Sequence, residues 1–123
     1  MLIVAREFAA QLAVPVLVSD RDGRLVYFNE AAEEVIGQSF AEAGELPASE
    51  YASIFSVTDE EGRPLAPDEL PGSIALQEHK PAHGMLNIVG LDDAPRTIEV
   101  TAIPLLARRD EPVGVMRIFW PIS

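Results

Sequence analysis

Residues 16–37 read VLVSDRDGRLVYFNEAAEEVIG. Val16, Leu17 and Val18 are apolar and partly β-branched, which suits a half-buried strand. Asp20-Arg-Asp-Gly23 is a turn: aspartate side chains bond nearby backbone and Gly23 tolerates positive φ. Residues 25–28, LVYF, resume an apolar strand. Asn29 stands where a helix N-cap belongs, because its side-chain oxygen accepts an otherwise unpaired N–H. Glu30, Glu33 and Glu34 place negative charge in the first turns, where the helix dipole favours it. Gly37 supplies a left-handed stop. The block predicts strand, hairpin, strand, helix.

Outward from this block, Val4, Phe8 and Leu12 recur at i, i+4 and i+8, with Ala5 and Ala9 between them. They predict an amphipathic helix ending before Pro15. Residues 38–58 are broken by Gly44 and Pro47, and residues 51–57 suit a short helix or a short strand equally. Pro71 opens a helix over about 71–79. Residues 85–89 form a strand, and 90–95 turn the chain. In residues 96–103, Ile98, Val100 and Ala102 face one way while Thr97, Glu99 and Thr101 face the other. Residues 108–112 turn again. Residues 113–120 form a last strand apolar on both faces, so both faces call for a cover. Two strands, helical material and three strands predict an α+β fold: a five-stranded antiparallel sheet with helices on one face, plus the N-terminal helix. The expected division is 1–13 for that helix and 14–123 for the domain proper.

The 123 residues suffice for one domain with a real core, and 48% hydrophobic content marks a globular chain. No apolar run is long enough to span a bilayer. Arg6 and Glu7 interrupt the apolar start, unlike a signal peptide. The chain has no cysteine, which excludes disulfides, thiolate metal sites and a cysteine nucleophile. A cytoplasmic location fits. The net charge is −11, and residues 30–78 carry twelve acids against one base, Arg63. That segment reads as a solvated acidic face, with a docking surface for a basic partner as its functional alternative. Nucleic acid is not an expected partner, since phosphates need clustered Lys and Arg.

No catalytic constellation assembles. Ser73 lacks the glycine two residues later that a nucleophile elbow needs. The adjacent pairs Glu33-Glu34 and Glu60-Glu61 are surface charge rather than an acid and base. His79 and His83 are four apart, but Pro81 breaks any helix between them, so no metal clamp is expected. The chain reads as a non-enzyme.

The ordered set of motifs resembles a PAS domain, of the kind found in sensor kinases, over roughly residues 10–120. Asp20, Gly23, Asn29, Ala31, Ala32 and Gly37 match the family's opening. Asp59-Glu-Glu-Gly62-Arg-Pro-Leu65 with Glu69-Leu-Pro71 matches its middle. Residues 96–105 match the penultimate strand, and Pro112-Val-Gly114-Val-Met the start of the last. The resemblance implies a sensory or protein-interaction module in bacterial signal transduction.

An inner apolar region follows from the same resemblance. By alternation its lining is Phe28, Ile36, Phe55, Ile74, Ile88, Ile98, Val100, Met116 and Ile118, either a filled core or a pocket for a small apolar ligand. Asn87 is a polar anchor inside it or faces water. Some relatives hold haem through a histidine near the position of His79, with His83 the other candidate; helix capping or surface exposure is the competing reading. A flavin bound through cysteine is excluded, and a non-covalent flavin stays open. The N-terminal helix is apolar beyond its own need, and the last strand is apolar on both faces, so Val4, Phe8 and Leu12 are expected to pack on the outer sheet face or on a second copy as homodimer contacts, with a monomer held by intramolecular packing alone as the alternative. The chain ends in Phe119-Trp120-Pro121-Ile122-Ser123, where relatives exit into a signalling helix, so the output is expected from a signalling partner on a separate chain or from a stretch beyond this sequence.

Overall fold

A computed structural model describes residues 2–45, 55–107 and 111–121. The elements are α1 (Leu2–Ala10), β1 (Val16–Asp20), β2 (Leu25–Phe28), α2 (Glu30–Ile36), α3 (Phe40–Ala43), a 3₁₀ turn (Pro67–Glu69), α4 (Pro71–Glu78), β3 (Ala82–Val89), β4 (Pro95–Leu106) and β5 (Pro112–Pro121). Among the described residues the strands form one antiparallel sheet in the order β2-β1-β5-β4-β3. The last strand thus inserts beside the first, so β5 is central and the hairpins flank it. The α+β expectation holds. The helices divide between the faces: α1 packs on the outer face of the sheet, and the others lie toward the inner face.

The opening block folds as its residues dictate. Asp20 Oδ1 accepts from the N–H groups of Asp22 and Arg24, closing the hairpin, and Gly23 sits at φ 83°. Asn29 Oδ1 accepts from Ala32 N at 3.0 Å and caps α2. Gly37 ends that helix at φ 92°. The aspartate turn recurs at Asp59, which accepts from Glu61 and Arg63, and at Asp92, which accepts from Ala94.

Two apolar layers sandwich the sheet. The inner one joins Leu17, Leu25, Phe28, Val35, Ile36, Leu86, Ile88, Ile98, Val100 and Phe119. Each such side chain contributes roughly 1.5–3 kcal/mol by leaving water. The outer one joins Ala5 and Ala9 of α1 to Val16, Val18 and Met116. The demand for a cover on both sides of β5 is therefore met by α1 on one face and by α4 with the inner core on the other.

Several boundaries differ from the sequence reading. β3 begins at Ala82, earlier than residue 85, because His83 and Gly84 pair with Thr101 and Val100 despite their weak strand preference. β4 runs on to Leu106 through Pro104. Proline is tolerated there because β3 has already ended opposite Ala102, so the missing N–H faces a vacated edge. Of the short element expected at 51–57, residues 51–54 lie outside the described residues, as does most of the turn at 108–112. No helix among the described residues is long and apolar enough to cross a membrane.

Candidate functional site

The inner face of the sheet and the helices above it enclose a cavity of about 50 Å³. Its walls come from the sheet and the elements on its inner face: Leu17 and Leu25 from the first hairpin, Ile36 from the end of α2, Pro71 and Gly72 from the start of α4, and Leu86, Ile88, Ile98, Val100 and Phe119 from the later strands. Phe55, Val57 and Leu70 close it. The lining is apolar except for Arg117.

Arg117 is the feature that the sequence reading missed. It lies on β5 opposite Leu17, is only 6% exposed, and donates from Nη2 to the hydroxyl of the equally buried Ser19. Gly72 makes room for its stem, since a Cβ there comes within 3.3 Å of Arg117 Cδ. The available signal was a lone basic residue within the apolar run of residues 113–120.

Of the residues expected to line this region, Ile36, Phe55, Ile88, Ile98 and Val100 meet at the cavity. Phe28 is buried in the same inner core without lining the cavity. Ile74 is half-buried on α4 and lies outside the lining. Met116 and Ile118 belong to the opposite face, against α1. The correction has a plain cause. β5 is apolar at both odd and even positions, so alternation carried no phase. The register pairs Val18 with Met116 and Leu17 with Arg117, which turns Val115, Arg117 and Phe119 inward. Asn87 is not in the cavity either. It stands on the β3 edge, where its Nδ2 donates to Asp59 O at 3.1 Å and its Oδ1 accepts from Thr97 Oγ1 at 2.7 Å.

Neither histidine reaches the cavity. His79 ends α4 in the left-handed conformation, φ 57°, with its backbone N–H on Ala75 O. His83 is exposed on β3, its Nδ1 3.1 Å from Thr101 Oγ1. Both are placed as surface groups rather than as ligands to a haem in this cavity. Pockets for drug-sized ligands span roughly 300–1,000 Å³, so the cavity as it stands is too small for a haem or a flavin.

The second feature is α1. Ala5 and Ala9 face the sheet, and Leu12 is half-buried against the same outer layer. Val4 and Phe8 stay 66% and 58% exposed, and Ile3 beside them 72%. Arg6 lies over the ring of Tyr27 at 5.2 Å, on the β2 side. Val4 and Phe8 fall on the other flank of the helix, toward the part of the outer sheet face that α1 leaves open.

Asn29 links the two features. Its Nδ2 donates to the carbonyls of Ala9 at 2.9 Å, Leu12 at 3.3 Å and Val14 at 2.8 Å. Its Oδ1 accepts from Val16 N and Ala32 N, both at 3.0 Å. One buried carboxamide thus ties the end of α1 to the start of α2, the helix that carries Ile36 to the cavity.

This architecture matches known structures. The PAS domain of a Colwellia psychrerythraea protein superposes with a TM-score of 0.69 at 17% identity, covering 99% of this chain and 97% of that one. The PAS domain of the fruit-fly ELK potassium channel gives 0.75 at 12% identity, covering 100% and 98%. A Rhodobacter sphaeroides LOV protein gives 0.76 at 17% identity, covering 99% of this chain and 67% of that one. Among curated proteins none matches the sequence. The family model described as PAS fold matches residues 9–123. The chain therefore belongs to the PAS fold family, whose members are sensory modules of signal transduction.

Proposed function

We propose that this PAS domain is a non-catalytic sensory module that forms a homodimer through α1 and passes the state of its inner cavity to that helix. The observation that carries the reading is the outward apolar flank of α1, with Val4 and Phe8 exposed while Ala5 and Ala9 face the sheet. A helix gains nothing from exposing large apolar side chains in a monomer, and apolar patches of this kind mark interaction sites. A second copy buries them symmetrically.

The input side of the reading is a small apolar ligand, because the cavity is small and its walls carry one charged group, Arg117. Occupancy that displaces Ile36 moves α2, and Asn29 holds α2 and α1 to the same backbone segment. The output partner is a signalling protein, in a cytoplasmic bacterial setting, as the sensor-kinase-like motifs support. The net charge of −11 opposes nucleic acid in that role.

Native mass spectrometry of the protein from its own host tests both halves. The expected spectrum is a dimer with a small adduct. A monomer at micromolar concentration contradicts the dimer, and a bare dimer contradicts the ligand.

A further inference from the structure

β3 is an edge strand, and half of its outer edge is already taken by the chain itself. Thr58 N donates to Asn87 O at 2.9 Å, Asn87 N donates to Thr58 O at 3.0 Å, and Val89 N donates to Phe55 O at 2.7 Å. Asn87 and Val89 therefore point their backbone groups away from β4. Strand geometry repeats every second residue, so the N–H and C=O of His83 and Met85 point the same way. Among the described residues nothing bonds to them, and both side chains are exposed. The segment that covers Asn87 is turned aside at 59–62 by the Asp59 side chain. The turn leaves a notch beside residues 82–86 where a further strand of the sheet fits.

The surroundings of the notch are acidic. Asn87 Nδ2 fixes the turn holding Asp59, Glu60 and Glu61 at one end. Glu78 stands at the other, and Asp68 and Glu69 lie just ahead of α4, whose Pro71 approaches Gly84. Arg63 pairs with Asp59 at 3.0 Å and Lys80 with Glu78 at 3.5 Å. Glu60, Glu61, Asp68 and Glu69 form no ion pair among the described residues.

We propose that the open β3 edge at residues 82–86 receives an extended, basic segment of a partner protein as an added strand. Main-chain bonds to His83 and Met85 supply the docking, and Lys or Arg side chains of the segment meet the surrounding acids. A second copy is a poor occupant. Edge-to-edge pairing of two β3 strands brings the same acids together, on chains that each carry −11.

The probe is a capped peptide alternating lysine and valine over roughly six residues, the span of the notch. Amide exchange of the full chain is followed by NMR. The expected result is protection of the His83 and Met85 amides by the peptide, lost at high salt. The same peptide N-methylated on alternate amides binds about tenfold weaker or less. Met85→Pro weakens binding by a similar factor while the fold persists, since the outward N–H makes no ladder bond. Glu60→Lys with Glu61→Lys weakens it too and leaves the edge intact. Unprotected His83 and Met85 amides at millimolar peptide overturn the proposal, as does equal binding of the N-methylated peptide. Protection that rises with protein concentration without peptide also overturns it, in favour of a second copy.

Discussion

Asn29 commits both ends of its carboxamide to backbone, and its replacement tests how much of the fold hangs on one side chain. Asn29→Ala strips the cap from α2 and leaves the carbonyls of Ala9 and Val14 without their buried donor. Urea unfolding is expected to show a loss of about 3 kcal/mol. Asn29→Asp keeps the acceptor and removes the donors, so it restores little. Asp92 tests charge at the same scale. The Arg96 guanidinium, at 2.9 Å, and then the Ala94 N–H hold its carboxyl at about 2, against 3.8 in the unfolded chain. The native state therefore binds that proton less tightly than the unfolded state. The stabilisation is present above 3.8 and is lost as pH falls through about 2. Thermal melts of wild type and Asp92→Asn should differ at neutral pH and converge near pH 2. A constant difference down to that pH contradicts the assignment. The Asn29 cap was legible from the sequence. Its bonds back to Ala9 at the end of α1 and to Leu12 and Val14 beyond it were not, because no local pattern shows where a helix twenty residues upstream will end.

Among the elements, α2 and its stop illustrate a position with no freedom. Gly37 has φ 92°, and a Cβ there lies 2.6 Å from Asp92 N. Gly37→Ala is expected to cost about 2 kcal/mol from left-handed strain and crowding of the Asp92 turn, read from the urea midpoint at unchanged slope. The glycine's conformation was legible; its contact with a turn fifty-five residues away was not. β5 shows the opposite case. Its strand character was plain from residues 113–120, yet apolar residues at both parities hid which set faces inward. Arg117 is buried against the general rule that charge lies outside, and Met116 and Ile118 turn to the face opposite the one that alternation suggests. α1 was legible as a helix from Val4, Phe8 and Leu12. The sheet, however, is met by the small Ala5 and Ala9, with Leu12 half-buried beside them, and leaves Val4 and Phe8 outside.

The whole molecule follows from ordered motifs that each specify a turn or a cap, which is why the PAS fold could be read before any coordinates. What could not be read is how large a space the core leaves, since a cavity of about 50 Å³ reflects the fit of side chains from the sheet and the elements on its inner face. The same holds for the open β3 edge, which exists only because the segment at 55–58 turns away after Thr58. At this scale the exposed flank of α1 is proposed as a dimer surface. Sedimentation equilibrium of the wild type beside the Val4→Glu, Phe8→Glu double variant tests it most directly. A dimer is expected for the wild type and a folded monomer for the variant, since both residues are exposed and their replacement costs the fold little. A wild-type monomer, or a variant that stays dimeric with unchanged affinity, contradicts it.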